Sequence, residues 1–143
     1  MKKGILITTI IIIGLSLSIY YFWPNKGEID IIPDDKSSSI VVTSPVKDYQ
    51  VTSPLSVFGR ARGNWFFEGS MPIVIQDAYG SVIAEGHVTA QGNWTTTEFV
   101  KFIGSLQFNN YIKGSKATLI IKKSNPSGLP QNYDSVRIPI ILK

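Results

Sequence analysis

An all-β domain behind a single membrane-spanning helix is the architecture this 143-residue sequence predicts. Three observations carry it. After Trp23 no stretch sustains a helical period of apolar residues, whereas several short segments alternate apolar with polar side chains, the mark of a strand with one buried face. Those segments are separated by Gly, Pro and Asn turns. Before them, Gly4–Trp23 is an uncharged run of twenty residues rich in Ile and Leu, and roughly 20 such residues are what a helix needs to cross a bilayer.

Taken in order, Lys2 and Lys3 precede the apolar run, so the excess of positive charge places the N-terminus in the cytoplasm. Tyr20, Tyr21, Phe22 and Trp23 form an aromatic belt suited to the outer interface. Residues 1–23 are therefore expected to be a retained anchor, with membrane contact through residues 4–23. A cleaved signal peptide, with Ser16 and Ser18 before the cut, is the competing reading. The apolar run continues past Ser18 to Trp23 without a break, which favours the anchor. Residues 24–39 hold Pro24, Gly27, Pro33, Asp34, Asp35 and Ser37-Ser38-Ser39, the composition of an extended acidic tether. Asp34-Asp35 lacks the further oxygen ligands of a calcium loop.

From residue 40 to 143 the pattern is strand. Ile40–Thr43 is the first, followed by a turn-rich segment from Ser44 to Pro54. The second runs Leu55–Arg62, with Leu55, Val57, Gly59 and Ala61 on the buried face. The third runs from about Met71 to Ala78, with Met71, Ile73 and Ile75 inward. Asp77-Ala78-Tyr79-Gly80 makes a tight hairpin, since Asp suits the first turn position and Gly tolerates positive φ. The fourth is Ser81–Ala90. The fifth, Thr96–Phe108, carries Val100, Phe102, Leu106 and Phe108 on one face. Asn109–Gly114 is a turn. Lys116–Lys123 is the sixth, with Leu119 and Ile121, and Ser135–Leu142 the seventh, with Val136, Ile138, Ile140 and Leu142. Pro139 lacks a ladder donor, which predicts a sheet edge for that last strand. Seven short strands in about 100 residues indicate an immunoglobulin/fibronectin-III-like sandwich, and the tight third-to-fourth hairpin favours the fibronectin-III arrangement.

Composition removes whole classes of chemistry. Cysteine is absent, so there is neither a disulfide framework nor a thiol nucleophile, and the core holds the fold unaided. His87 is the one histidine; it shares a polar strand face with Glu85 and Thr89 and lacks the third oriented group that acid–base chemistry needs. Residues 40–143 hold ten Lys or Arg against six Asp or Glu, a diffuse positive balance too weak to indicate nucleic acid. Arg60 and Arg62 are expected to pair with acids or dress the outer sheet face. Glu68 and Asp134 are the one carboxylate pair that topology brings near each other, but no cleft-forming insertion accompanies them. Asn93-Trp94-Thr95 matches a glycosylation sequon. No catalytic residue, metal or cofactor is expected.

What stands out lies in three connections. Gly63–Gly69 joins the second strand to the third and holds Trp65-Phe66-Phe67. Gln91–Thr95 joins the fourth to the fifth, and Ser124–Asn132 the sixth to the seventh. Gly-Asn-Trp occurs in two of them, at 63–65 and 92–94. Because chain direction reverses at every strand, all three fall at one pole, the pole from which the first strand also starts. Aromatic loops are unusual, since loops normally face water. In one reading Trp65, Phe66, Phe67 and Trp94 fold inward and plug the open end of the core, with Glu68 and the Asn and Ser groups satisfying loop backbone. In the other, some rings stay exposed as a platform for a partner; Trp65 and Trp94, loop residues beside Asn side chains, are the expected exposed rings. The candidate surface is Asn64, Trp65, Phe66, Phe67, Glu68, Asn93, Trp94, Asn125, Ser127 and Leu129.

Ser53-Pro54-Leu55 followed by Gly59-Arg60-Ala61-Arg62-Gly63 resembles the immunoglobulin-like domain family of bacterial spore-germination and related surface proteins, a domain often found beside GerM-type sporulation and germination domains. Asp77–Gly86, the region of Trp94, Asn125–Pro130 and Ile138-Pro139-Ile140 are similar to family members too, so the resemblance covers residues 40–142. It implies an immunoglobulin-like fold, an extracytoplasmic bacterial setting and an interaction role, with no established catalytic or cofactor residues. Together with the residues themselves it leads to a non-enzymatic binding or scaffolding module of a bacterial envelope, membrane-anchored and single-pass. The expected partner is an envelope protein or cell-wall glycan. A structural spacer with core-capping loops, or a carbohydrate-binding module, are the alternatives.

Overall fold

The computed structural model of the chain describes residues 39–109 and 111–143. The expectations for the anchor and for the tether as far as residue 38 lie outside the described residues. Within them eight strands run in order: β1 (Ile40–Ser44), β2 (Tyr49–Val51), β3 (Leu55–Arg62), β4 (Ser70–Asp77), β5 (Val82–Ala90), β6 (Phe99–Leu106), β7 (Lys116–Lys122) and β8 (Ser135–Leu142). Alternation accounts for β3 and β8 to the residue. β6 is shorter than the alternation of Thr96–Phe108 predicts, because Thr96 Oγ1 accepts the Glu98 N–H at 3.1 Å and turns the chain before pairing begins.

The strands form one continuous curled sheet in the order β1-β3-β6-β5-β4-β7-β8-β2. All neighbours are antiparallel except β2 and β8, which run parallel. β5 joins the two halves: it pairs with β4 over most of its length and with β6 only at Val88–Ala90. Curling brings the inner faces of β3 and β6 against those of β4, β7 and β8. Val57, Phe102, Met71, Ile73, Ile75 and Leu119 are all buried in the single cluster between them. These are the inward positions that period-2 alternation assigns. The Asp77–Ser81 hairpin closes as expected, with Asp77 Oδ1 accepting the Tyr79 and Ser81 N–H groups at 2.9 and 2.8 Å.

Two expectations are corrected. The count of seven strands rises to eight, because Tyr49–Val51, read as turn, lies beside β8. Only Val51 of the three is buried, so no alternation marks it. β8 is consequently not an edge strand; the edges are β1 and β2. Pro139 is accommodated nonetheless. Its carbonyl accepts the Asp48 N–H at 2.8 Å, and a residue's N and O point to the same side of a strand. The missing donor therefore faces the β2 side, just before the β2 pairing starts at Ile140, and the ladder to β7 loses nothing.

Candidate binding surface

At the end of β3 the chain makes a 3₁₀ turn, Gly63–Trp65, closed by the Phe66 N–H on the Gly63 carbonyl at 3.1 Å. Only glycine fits at 63, because a Cβ there would collide with the Trp94 and Thr96 carbonyl oxygens. The turn tips Trp65 into the core, where it is 2% exposed. Phe66 follows it inward. Phe67 and Ser70 then exchange backbone hydrogen bonds at 3.1 and 3.0 Å across a two-residue turn. Glu68 (φ 49°) and Gly69 (φ 72°) are both left-handed there, as a tight hairpin of this hand requires.

The other two connections lock onto this one. Gly69 accepts the Ala90 N–H at 2.8 Å, and the Trp94 ring lies over Gly69. Ser124 donates its N–H to the Trp65 carbonyl at 2.9 Å and its hydroxyl to the Ser70 carbonyl at 2.7 Å. The three distinctive loops thus meet at one pole.

The rings divide differently from the sequence expectation. Trp65 is corrected from exposed to buried, for the 3₁₀ turn aims its ring inward, and Phe66 joins it as a plug. Trp94 is half-buried against the core. Phe67, at 45% exposure, and Leu129, at 48%, are the apolar groups of the candidate set that face water. Asn64, Glu68, Asn93 and Ser127 are exposed and Asn125 half-buried. Several of these polar groups shape their own loops. Asn93 Oδ1 accepts from the Thr95 N–H at 3.0 Å and from its hydroxyl at 2.6 Å. Asn125 donates to the Leu129 carbonyl at 2.9 Å and accepts the Ser127 hydroxyl at 2.6 Å. Asn132 in turn donates to that hydroxyl oxygen at 3.1 Å.

Between the first and third loops lies a shallow depression of about 330 Å³, with Phe66, Phe67 and Asn64 on one side and Asn125, Ser127 and Asn132 on the other. Around the corner, on the outer face of β4, β7 and β8, a larger groove of about 510 Å³ shares Lys123 and Asn125 with it. Lys122, Tyr133 and Arg137 line this groove. No aromatic loop marks these residues in the sequence, although alternation already turns Lys122 and Arg137 away from the core. On the other half of the sheet, Arg62 and Arg60 stack on Phe99 at 4.2 and 5.1 Å from the ring centroid. Arg62 also lies 3.8 Å from Glu98. His87 is exposed between Glu85 and Thr89.

Residues 39–128 match the model of the family Gmad2, the immunoglobulin-like domain of bacterial spore germination. The chain belongs to this family. The immunoglobulin-like character of the curled sheet rests on that match, and the family fits a non-catalytic binding or scaffold role. No curated protein and no solved structure matches the chain. In this Gmad2 domain the first two distinctive loops lie wholly inside the matched residues. The third extends beyond them, from Leu129 to Asn132, and the end of the groove wall formed by Tyr133 and Arg137 also lies outside.

Proposed function

We propose that this chain is a non-catalytic binding or scaffolding module on the outer side of a bacterial membrane, held there by residues 4–23 with the N-terminus in the cytoplasm. Its contact surface is the loop pole, and the partner met there is an envelope protein. The observation that carries this reading is the division of the rings. Trp65 and Phe66 stiffen the pole from within, while Phe67 stays half-exposed at a depression rimmed by amide and hydroxyl groups and Leu129 stays half-exposed on the third loop. Apolar anchors within a polar rim are the anatomy of a protein contact. Glu68 supports it, because a non-glycine residue held at φ 49° departs from the cheapest turn chemistry at the tip of this surface.

A photoreactive residue placed at 67 or 129 of the full-length chain in intact cells tests the reading, with position 79 at the opposite pole as control. Adducts at 67 and 129 and not at 79 are expected. Equal capture at all three positions, or none at any, overturns it. The absence of adducts leaves the spacer reading, which the burial of Trp65 and Phe66 favours.

A further inference from the structure

We infer that the edge of β8 over Ser135–Ile138 is a second binding site, and that its occupant is a short extended peptide of another protein, alternating apolar with acidic side chains. This site stands apart from the loop pole and uses none of its rings.

Register leaves this edge free. β2 lies beside β8 only from Ile140 to Leu142, preceded by the Asp48 N–H on the Pro139 carbonyl at 2.8 Å. Even-numbered residues here bond toward β7: the Asp134 carbonyl accepts the Lys123 N–H at 2.9 Å, and Leu142 donates its N–H to the Ser115 carbonyl at 3.0 Å. Odd-numbered residues therefore turn N–H and carbonyl to the opposite side. There the Ser135 N–H is taken by Asp134 Oδ1 at 2.8 Å. The Arg137 N–H and the carbonyls of Ser135 and Arg137 have no backbone partner among the described residues. Unpaired ladder groups of this kind are a template for an added strand. The two outermost strands are blunted by comparison, since β1 carries a register shift between Val42 and Ser44 and β2 is three residues long. β8 pairs with β7 without a shift, so its free stretch is regular.

The two faces of β8 decide what the added strand carries. Val136 and Ile138 pack on the core but are only partly buried, so apolar side chains on the inward positions of a neighbouring strand would complete their cover. On the outer face Ser135 and the exposed Arg137 border the groove of about 510 Å³ that Lys122 and Lys123 also line. Lys122 lies across from Ser135 in the β7 ladder. These three cations face one carboxylate, Asp134, and form no ion pair among the described residues. Acidic side chains on the outward positions of the added strand would lie beside Arg137 and reach toward the lysines, where charge-assisted hydrogen bonds are strong. The same charges disfavour a second copy of this chain as the occupant, because it would set like cations against one another.

The test titrates the full-length chain with a capped eight-residue peptide alternating Val and Glu, and follows backbone amide exchange. The peptide is expected to bind and to slow exchange of the Arg137 N–H. Two controls should bind at least about tenfold more weakly: the same peptide N-methylated throughout, which keeps the side chains and deletes the ladder donors, and a peptide alternating Val and Lys. Arg137→Glu should reduce the affinity more than about tenfold, and Arg137→Pro, which lacks the edge donor, should bind several-fold more weakly than Arg137→Ala. The position is exposed and its N–H does not serve the β7 ladder; an unchanged melting temperature verifies each fold, and the N-methylated peptide tests the ladder without any mutation. Equal binding of the N-methylated peptide would reduce the contact to side-chain attraction and overturn the added strand. Equal binding of the Val–Lys peptide, no binding at all, or protection that leaves Arg137 unchanged would overturn it as well. So would an Arg137 N–H that already exchanges slowly before peptide is added, since the edge would then be occupied. Crosslinks that persist at 67 and 129 in any of these events leave the protein-binding pole standing.

Discussion

The Trp65 carbonyl accepts the Ser124 N–H at 2.9 Å, a bond between connections that lie far apart in sequence. With the Ser124 hydroxyl on Ser70 at 2.7 Å, one serine ties the β7–β8 connection to both ends of the β3–β4 connection. The buried indole beneath that tie does here what a disulfide does in many small domains. It fills the open end of the sheet and fixes where two loops sit.

Trp65→Ala should therefore be among the most damaging single changes in the domain. Removing a fully buried indole costs about 3–5 kcal/mol, and each kcal/mol lowers the midpoint of a domain this size by roughly 4–8 °C. Phe67→Ala, one turn further at a half-exposed site, should change stability by no more than about 1 kcal/mol. Thermal unfolding of the two variants side by side checks the contrast. Equal losses would mean that the plug has been assigned to the wrong ring.

That contrast also marks the limit of what the sequence showed. The inward faces of β3, β4, β6, β7 and β8 are legible because alternation is strict and each strand keeps one wet face. β2 was not legible: three residues with one buried position among Pro45, Asp48 and Pro54 carry no period, and their partner β8 lies some ninety residues away. The loops converge because strand direction leaves no other arrangement, and that part needed no side-chain information. Which ring turns inward is set by local backbone instead. Gly-Asn-Trp at 63–65 forms a 3₁₀ turn and buries its Trp, whereas the same tripeptide at 92–94 does not and leaves its Trp half-covered. Identical words, different backbones. The groove carries no such mark, because Lys122 and Arg137 sit on outward positions of β7 and β8 like the residues of any wet sheet face.

Gly63→Ala separates the two tripeptides. The added methyl meets the backbone carbonyls of Trp94 and Thr96, which cannot rotate away as a side chain would. Overpacking of this kind costs about 1–3 kcal/mol, and the stiffness of the obstacle puts Gly63→Ala at the upper end. Urea unfolding should show a lower midpoint with an unchanged m-value. A neutral result would mean that the β5–β6 connection stands further from the 3₁₀ turn.

The arginine pair on β3 contributes through Phe99 more than through Glu98. Arg62 lies 4.2 Å from the ring centroid, a stacking geometry worth about 0.5–1 kcal/mol at an exposed site. Its approach to Glu98 is 3.8 Å with the carboxylate largely in water, where an ion pair contributes about 0–1 kcal/mol. A double-mutant cycle between Arg62→Ala and Phe99→Leu should yield a coupling near that stacking value, while Glu98→Gln stays within about 0.5 kcal/mol of the parent. High salt should leave the Arg62–Phe99 coupling largely intact. A coupling that vanishes in salt would move the credit to Glu98.

If the loop pole is the contact surface, Glu68 sets stability against recognition. At φ 49° it occupies a left-handed position that Asn or Gly fills at lower cost, in a turn whose second residue, Gly69, already meets the requirement. Glu68→Asn should raise stability by about 0.5–1 kcal/mol, since Asn tolerates this conformation and the rest of the hairpin is unchanged. The same change removes the one carboxylate from the exposed tip between Phe67 and the Trp94 loop. If the pole is the contact surface, the stabilised variant should show weaker crosslinking at position 67 while its melting temperature rises. Opposite movement of the two readouts is the expected signature. A stability gain with undiminished capture would make Glu68 an expendable turn residue, and no gain at all would mean that the turn does not hold residue 68 in the left-handed region.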